Sequence, residues 1–281
     1  MHPDFFTIGG SPLPQRLGLS TRGLTAPGIP RTPEAGRQAR TVLRRAVDRG
    51  ARLVDVEDTA EEWVAHALHP YPAHLLVAAR AGDTNAGTGG ASAPDHPDRL
   101  RAQCEAGLRR LRTETIDLYR LPAADPAETP CWMDRLGVLA DLRRAGKVRH
   151  IGVEAGSIAE VRRAMTITEI SSVHAPYNVA DRTTEDLLGF CESHRLVFVP
   201  RRPLGTGART RSAVTAVAER HGASAAQIAL AWLLGNSPVL LPVVAPSTPR
   251  QLDAYWEAAE IDLSDIDLDA LNTLARRHIP A

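Results

Sequence analysis

Acidic, basic and imidazole side chains follow the apolar, strand-like runs of this 281-residue chain. Carboxylates and imidazoles can move protons, and guanidinium groups can stabilise the oxyanion of an enolate or alkoxide. In chain order the candidates are Arg22, Asp55, Glu57, Asp58, Arg80, Asp83, Arg120, Glu154, His174, Arg201 and Arg202. If the runs form neighbouring parallel strands, their ends meet in one cup, and the sequence predicts acid–base chemistry there.

Asp55 and Glu57 are the predicted inward-facing carboxylates of that cup. Side chains alternate along a strand, so these two share one side, whereas Asp58 faces the other. We expect Asp55 and Glu57, together with His174 and Arg80, to be the catalytic residues.

Several of these residues also have structural interpretations. Asp55 and Arg80 could form a bidentate ion pair that only fills the interior. His174 at a strand end could be a hydrogen-bonded polar residue. Of the adjacent Arg201 and Arg202, one must point away, so at most one of them binds an anionic or carbonyl-bearing substrate.

Two further alternatives concern metal binding and helix formation. A metal site built from Asp55, Glu57 and His174 is the weaker one, because no ligand spacing in the sequence supports it. Asp58 could instead belong to the acidic first turn of a helix, where the helix dipole stabilises a negative charge. The prediction is therefore that no metal is bound.

Strand-like and helix-like runs alternate along the chain, which is the pattern of βαβ units and a parallel sheet. The eight predicted strands cover 16–19, 53–56, 75–79, 116–121, 148–153, 172–174, 197–200 and 239–244. Predicted helices cover 32–49, 96–112, 131–145, 158–165, 185–194, 224–234 and 263–277. Phe6 to Pro14 reads as a hairpin with a Gly-Gly turn. We see no linker, so residues 1–281 are predicted to form a single domain.

Four motifs and the run Leu53 to Ala60 give the chain a resemblance to the aldo-keto reductase family. The motifs are Arg149-His-Ile-Gly152, Tyr177-Asn178 with Asp181-Arg182, Pro203-Leu-Gly205 and Gln227-Ile-Ala-Leu-Ala-Trp232. The resemblance runs over nearly the whole chain. It implies a (β/α)8 TIM barrel whose floor is plugged by an N-terminal β-hairpin.

The resemblance also implies an Asp-Tyr-Lys-His catalytic tetrad, of which this chain keeps one member. Counted without a gap, the four positions hold Asp55, Ala60, Arg80 and Pro122. Sliding the frame by three residues gives the Asp role to Asp58 and puts Trp63 at the Tyr position. The single lysine, Lys147, lies in a turn on the face opposite the catalytic one, so no lysine can reach the site.

The family's cofactor positions differ as well. Glu154-Ala155 stands where the resemblance places a Ser-Asn pair for the nicotinamide amide, and His174 stands in place of a Gln. Tyr177 approximates the aromatic position that stacks on the ring.

The phosphate clamp of the family lies after the last strand. Here Ala245 and Pro246 remove flexible backbone and one N–H group, and N–H groups at a helix start are what hold phosphate. Only Ser247 and Arg250 could still contact a 2′-phosphate. We therefore predict that the chain uses no NADP(H) and no other cofactor.

Composition and charge limit the classes of partner that the chain is expected to bind. Lys plus Arg equals Asp plus Glu at 33 each, so no net field favours nucleic acid or an anionic membrane. No apolar stretch approaches the ~18 residues of a membrane-spanning helix, and no signal-like run opens the chain. Cys104, Cys131 and Cys191 fit neither a disulfide framework nor a zinc spacing. We expect a cytoplasmic protein that binds a small molecule; its oligomeric state stays open.

The sequence thus predicts a cofactor-independent enzyme acting on a small carbonyl-bearing metabolite by isomerisation, dehydration or cyclisation, with a role in natural-product biosynthesis. The predicted substrate-binding residues are Arg22, Asp58, Arg120, Glu154, Tyr177, Arg201 and Arg202. One alternative is a non-catalytic pseudoenzyme that binds a ligand or protein partner. The other is an NADP-dependent carbonyl reductase with a rewired site.

Overall fold

A computed structural model describes most of the chain. The described residues are 7–12, 16–26, 28–29, 32–57, 60–82, 97–123, 129–205 and 208–276. Two candidates from the sequence, Asp58 and Asp83, lie outside these ranges.

The described strands form a two-stranded sheet and an eight-stranded sheet. Strands β1 (Thr7–Ile8) and β2 (Ser11–Pro12) form an antiparallel hairpin. The barrel strands are β3 (Gly18–Ser20), β4 (Leu53–Val56), β5 (Leu76–Arg80), β6 (Ile116–Leu121), β7 (Val148–Glu154), β8 (Ser172–Pro176), β9 (Val197–Arg201) and β10 (Val243–Val244). They pair in parallel in the order β10-β3-β4-β5-β6-β7-β8-β9.

The barrel closes where β9 meets the segment that leads into β10. The Phe198 amide donates to the Val239 carbonyl at 2.9 Å, and the Leu241 amide donates to the Phe198 carbonyl at 2.9 Å. The predicted (β/α)8 barrel is therefore confirmed.

Helices surround the barrel. They are α1 (Arg22–Thr25), α2 (Pro33–Asp48), α3 (Glu61–Leu68), α4 (Pro97–Leu111), α5 (Thr129–Arg144), α6 (Ile158–Met165), α7 (Glu185–His194), α8 (Ala208–Arg220), α9 (Ala225–Asn236), α10 (Pro249–Glu257) and α11 (Asp265–Arg276), with a 3-10 turn at Ala258–Glu260. No helix in the described ranges combines the length and apolar character needed to cross a membrane.

Local signals account for several helix ends. Ser224 and Gln227 form a capping box at the start of α9. The Ser157 hydroxyl accepts from the Glu160 amide at 3.3 Å, but the Glu160 carboxylate accepts from Gly156 rather than Ser157. That start of α6 is therefore capped in one direction only.

Four helices, α1, α3, α8 and α10, were missing from the predicted set. For α10 the signals were present, because Thr248 caps the helix by accepting from the Gln251 amide and Pro249 occupies its first turn. The stretch was interpreted as a family loop instead. For α8 the apolar spacing is sparse, with buried Val214, Val217 and Ala218 as its inner face.

The barrel floor is filled by an apolar inner cluster. Its buried members are Ile8, Leu53, Leu76, Ala78, Leu118, Val197, Val199 and Leu241. Ile8 comes from the β1–β2 hairpin and is 0% exposed, so the hairpin plugs the barrel as predicted. The turn passes so close to β7 that a Cβ added at Gly9 would lie 2.2 Å from the His150 Nδ1, which only glycine permits.

Candidate functional site

A polar layer lies directly above the apolar inner cluster. Arg80, Arg120 and Arg201 each come two residues after a cluster member on their strand, and Asp55 follows Leu53 in the same way. Because side chains alternate along a strand, these groups point into the barrel mouth. We call the mouth group formed by Asp55, Glu57, Arg80, Arg120, Glu154, His174 and Arg201 the cup.

Arg120 is the central cation of the cup. Its Nη1 lies 3.2 Å from the Asp55 Oδ2, its Nε lies 3.4 Å from the Glu154 Oε1, and its side chain is 12% exposed. Burial acts to lower the pKa of Arg120, but the charges of Asp55 and Glu154 outweigh it and raise that pKa above its usual value. Arg120 therefore stays charged and links two buried carboxylates.

Glu154 is contacted by three guanidinium groups. The Arg201 Nη1 lies 3.1 Å from its Oε2, while the Nε atoms of Arg120 and Arg80 lie 3.4 Å and 3.6 Å from its Oε1. The Glu154 side chain is 8% exposed, against 31% for Arg80 and 47% for Arg201. Arg80 and Arg201 therefore form the solvent-facing rim of the cup.

The Asp55–Arg80 ion pair considered in the sequence analysis is wrong, because both residues pair with other partners in the structure. Asp55 is level with Ala78 in the β4–β5 register, so Arg80 starts two residues closer to the mouth. Asp55 pairs with Arg120 instead, and Arg80 reaches Glu154.

His174 lies in the wall of the cup with both ring nitrogens engaged. Its Nδ1 is 3.5 Å from the Arg120 Nη1, and its Nε2 is 3.1 Å from the Ser172 Oγ. Arginine can only donate, so Nδ1 accepts and the proton sits on Nε2 of a neutral ring. Burial, followed by the charges of Arg120 and Arg201, holds the pKa of His174 well below its usual range. The structure thus favours a neutral ring for His174 in the wall of the cup.

Glycine at position 152 makes room for this wall. A Cβ added at Gly152 would lie 2.4 Å from the Ser172 Oγ and 3.3 Å from the His174 Nε2. The Gly152 of the Arg149-His-Ile-Gly152 motif therefore has a packing role beside the cup.

Glu57 is the half-buried carboxylate of the cup. It follows β4, and its backbone amide donates to the Thr21 hydroxyl at 2.8 Å. Glu57 differs from Asp55 and Glu154 in having no ion pair in the described part of the chain.

Some predicted site residues are not in the cup. Tyr177 is 0% exposed, stacks on Trp232 at 5.8 Å and donates its hydroxyl to Glu185 at 2.9 Å, in the layer between strands and helices. Arg22 is exposed at the start of α1. Arg202 has a φ of 55° just after β9, and its carbonyl accepts from the Asn178 side chain, so Arg201 is the inward member of the pair.

None of the four tyrosines, all of which are described, reaches the cup. Tyr71 donates to the Leu111 carbonyl, Tyr119 is buried on the outer side of β6, and Tyr255 accepts from Gln251. In the two frames compared above, Ala60 is buried in the outer core and Trp63 packs towards Gly36 of α2. The mouth therefore lacks a described phenol.

The single lysine is equally distant. Lys147 pairs with Glu105 at 2.7 Å and lines a cleft of about 650 Å³ at the far end of the barrel, together with Arg109 and Arg112. The described residues also contain no group of three or more His, Cys, Asp or Glu side chains placed to hold a metal. Asp55, Glu57 and His174 form no such group.

The residues after β10 do not fit the dinucleotide that the resemblance implies. The Ser247 amide, a potential phosphate donor, already donates to the Gln251 Oε1 at 2.8 Å. A Cβ at Gly23 would lie 2.2 Å from the Ala245 carbonyl oxygen and 2.8 Å from that of Pro246, so the first and last loops touch through their backbones. In the cup, the anionic Glu154 replaces the neutral amide clamp.

The chain is similar to curated proteins whose names describe an oxidoreductase and a dehydrogenase. The chain is 29% identical over 287 residues to pyridoxine 4-dehydrogenase of Escherichia coli (strain K12), covering 98% of this chain and 100% of that protein. It is 29% identical over 262 residues to an uncharacterized oxidoreductase of Schizosaccharomyces pombe, covering 91% and 85%.

Solved structures agree on the fold. The thermostable aldo-keto reductase Tm1743, in complex with the inhibitor epalrestat, has a TM-score of 0.77 at 26% identity over 93% of this chain and 95% of that one. The glycerol dehydrogenase AKR11B4 from Gluconobacter oxydans has a TM-score of 0.81 at 23% identity over 100% and 98%. The model of the aldo/keto reductase family matches residues 21–276, and this chain therefore belongs to that family.

Proposed function

We propose that this barrel binds a small carbonyl compound in the cup and moves a proton on it without a redox cofactor. The observation that carries the proposal is the exchange of groups at the mouth. All four tyrosines and the lysine lie elsewhere, while three guanidinium groups and three carboxylates occupy the cup.

Glu57 and the rim arginines suit enolisation. The Glu57 carboxylate takes a proton from the carbon next to the carbonyl, the C–H electrons form the C=C bond of an enolate, and the carbonyl π electrons move to oxygen. A guanidinium group of the cup stabilises that oxyanion. Glu57 then returns the proton to carbon or oxygen, so an isomerisation balances without an oxidant or reductant.

The family match favours a second candidate, nicotinamide-dependent carbonyl reduction. Both curated relatives are oxidoreductases by name, and family membership makes this activity the first expectation for any member. It requires a proton donor other than the four tyrosines, and it requires phosphate contacts that Ser247 and Gln251 do not offer as they are bonded.

Titration with NADPH and NADP⁺ separates the two candidates. We expect no heat of binding at about 100 μM dinucleotide, a concentration far above the dissociation constant of a working NADP site. Oxidation of NADPH in step with the consumption of any aldehyde or ketone would establish the second candidate and overturn the first.

Hydrogen–deuterium exchange tests proton transfer without a known product. In D2O, proton NMR should show enzyme-dependent loss of the C–H signal next to the carbonyl in at least one of 2-oxobutanoate, butanone or glyceraldehyde. Glu57→Gln should slow that exchange at least about 100-fold, the lower range for a general base. Glu62→Gln, at an exposed position on α3, is the matched control. Exchange that is equal in both variants would remove Glu57 from the mechanism.

A further inference from the structure

We infer that the cup takes a ligand bearing a carboxylate, and that Arg80 and Arg201 bind this group. The inference deepens the function proposed above and rests on it for the chemistry, although binding can be measured alone. Together with the enolisable carbonyl, it points to small oxo acids as the substrate class.

The two rim arginines converge on one point. They come from β5 and β9, on different sides of the barrel, yet both contact Glu154, at 3.6 Å and 3.1 Å. Glu154 is 8% exposed and lies beneath them, while the guanidinium groups keep 31% and 47% exposure. A second carboxylate on the solvent side could therefore bridge the same two groups.

The cup holds more donors than its own carboxylates use. An arginine offers five N–H donors in a planar fork, which matches a carboxylate in two parallel hydrogen bonds. The Nε atoms of Arg80 and Arg120 are buried and lie 3.6 Å and 3.4 Å from the Glu154 Oε1, without a hydrogen bond in the part of the chain that is described. Polar atoms left in this way are costly unless a ligand or water completes them.

The two guanidinium groups at the rim favour an anion there. Asp55 and Glu154 lie deep and share Arg120, and the half-buried Glu57 is the third carboxylate of the cup. Arg80 and Arg201 add two positive charges at the surface of the cup. Lysine would offer only a point charge, whereas the planar guanidinium fork can pair with a carboxylate through two parallel hydrogen bonds.

Glu57 is placed to act on such a ligand. It leaves β4, the strand paired with β5, so Glu57 and Arg80 emerge from neighbouring strands. A small oxo acid held by its carboxylate at Arg80 and Arg201 would bring its acidic C–H bond into the same cup as Glu57.

Calorimetry with 2-oxobutanoate, its neutral amide 2-oxobutanamide and inorganic phosphate tests the inference. We expect heat of binding for the acid at concentrations up to about 10 mM and none for the amide. The Arg Nε–H signals in ¹H–¹⁵N NMR spectra should shift with the acid. Equal binding of acid and amide, tighter binding of phosphate, or no binding of the acid would each overturn it.

Two charge-changing variants are expected to change the affinity for 2-oxobutanoate in opposite directions. Arg201→Gln should weaken binding of 2-oxobutanoate at least about tenfold, the loss of one charge-assisted contact. Glu154→Gln should strengthen it by about the same factor, because the internal competitor for the three guanidinium groups loses its charge. Arg202→Gln, the adjacent arginine outside the cup, should bind as the unchanged protein does.

Thermal melts of each variant separate misfolding from lost binding, and Glu154→Gln does so by its sign, since a damaged cup cannot gain affinity. Weaker binding in Glu154→Gln than in the unchanged protein would contradict the inference. Binding of the acid without deuterium exchange would overturn the proposed proton transfer alone. Exchange on neutral butanone without binding of the acid would overturn the carboxylate site alone.

Discussion

Two buried carboxylates of this barrel, Glu154 and Asp267, are each surrounded by several donors but differ in how completely they are bonded. Asp267 joins α8 to α11: it accepts from the Arg220 Nε at 3.1 Å, from the His221 Nε2 at 2.9 Å and from the Ser264 hydroxyl at 2.6 Å. We call these four residues the clasp. Glu154 has ion-pair contacts of 3.1 Å, 3.4 Å and 3.6 Å.

This difference indicates which cluster has a complete set of hydrogen bonds without a ligand. In the clasp the donors are used by one carboxylate, and the hydrogen bonds from Ser264, His221 and Arg220 lower the pKa of Asp267. In the cup three guanidinium groups face three carboxylates, and two guanidinium Nε atoms lie 3.4 Å and 3.6 Å from the Glu154 Oε1 without a hydrogen bond in the described chain. We therefore infer that the clasp is structural and that the cup binds a ligand.

Removal of Arg120 should give the largest effect. Arg120→Ala leaves Asp55 and Glu154 buried without their shared cation, so we expect the free energy of unfolding to fall by about 3–5 kcal/mol in urea titrations. Adding Asp55→Asn to this variant should recover part of the loss. A loss no larger than that of a surface pair would show that the cup is open to water.

Asp267→Asn should cost less. The amide keeps some hydrogen bonds but loses the charge that Arg220 and Ser264 contact, and we expect a loss of roughly 1–3 kcal/mol in the same titrations. The carboxylate binding proposed for the cup should not change, because α11 packs on α8 and contributes no residue to the cup. Altered 2-oxobutanoate affinity in this variant would break the distinction between the two clusters.

The two clusters should also lose stability in different pH windows. The folded pKa of His174 is depressed, so the unfolded chain binds the extra proton and stability falls as pH drops below about 6.5, by at most ~1.4 kcal/mol per pH unit. Asp267 also has a depressed pKa, but its stabilisation is present above about pH 4 and is lost only below it.

Urea titrations between about pH 7 and pH 5 measure this difference. His174→Gln should flatten the slope in that window, while the exposed control His74→Gln should keep it. Equal slopes in His174→Gln and the unchanged protein would mean that His174 is not buried as a neutral ring.

The smallest expected change in the free energy of unfolding is that of an exposed ion pair. Glu169 is 65% exposed and contacts Arg143 at 2.5 Å. Glu169→Gln should change the free energy of unfolding by less than about 1 kcal/mol, because water and salt screen an exposed pair. A loss as large as that of Asp267→Asn would show that bonding geometry, rather than burial, sets the cost.

The fold was predictable because its signals are local. Strands 53–56 and 116–121 and helices 158–165 and 185–194 have the predicted bounds, since short apolar runs and amphipathic spacing encode them directly. Helix α10 was missed although Thr248 and Pro249 mark its start, because the stretch was compared with a family loop.

The cup was predictable in membership but not in pairing. Strand alternation placed Asp55 and Glu57 on one side and allowed only one of Arg201 and Arg202 inside. It could not say that Arg80 stands two residues above Asp55, because that depends on the register between β4 and β5. Nor could it remove Tyr177, whose ring is buried against Trp232 by the packing of α9.

The sequence by itself determined the alternation of strands and helices, the family resemblance and the residue types available at the mouth, since these depend on composition and spacing along the chain. Only the tertiary structure decided that Arg120 rather than Arg80 pairs with Asp55, that Glu154 gathers three guanidinium groups, and that His174 is neutral. Pairing and protonation depend on distances between strands and on exclusion of water, and neither is written in the order of residues.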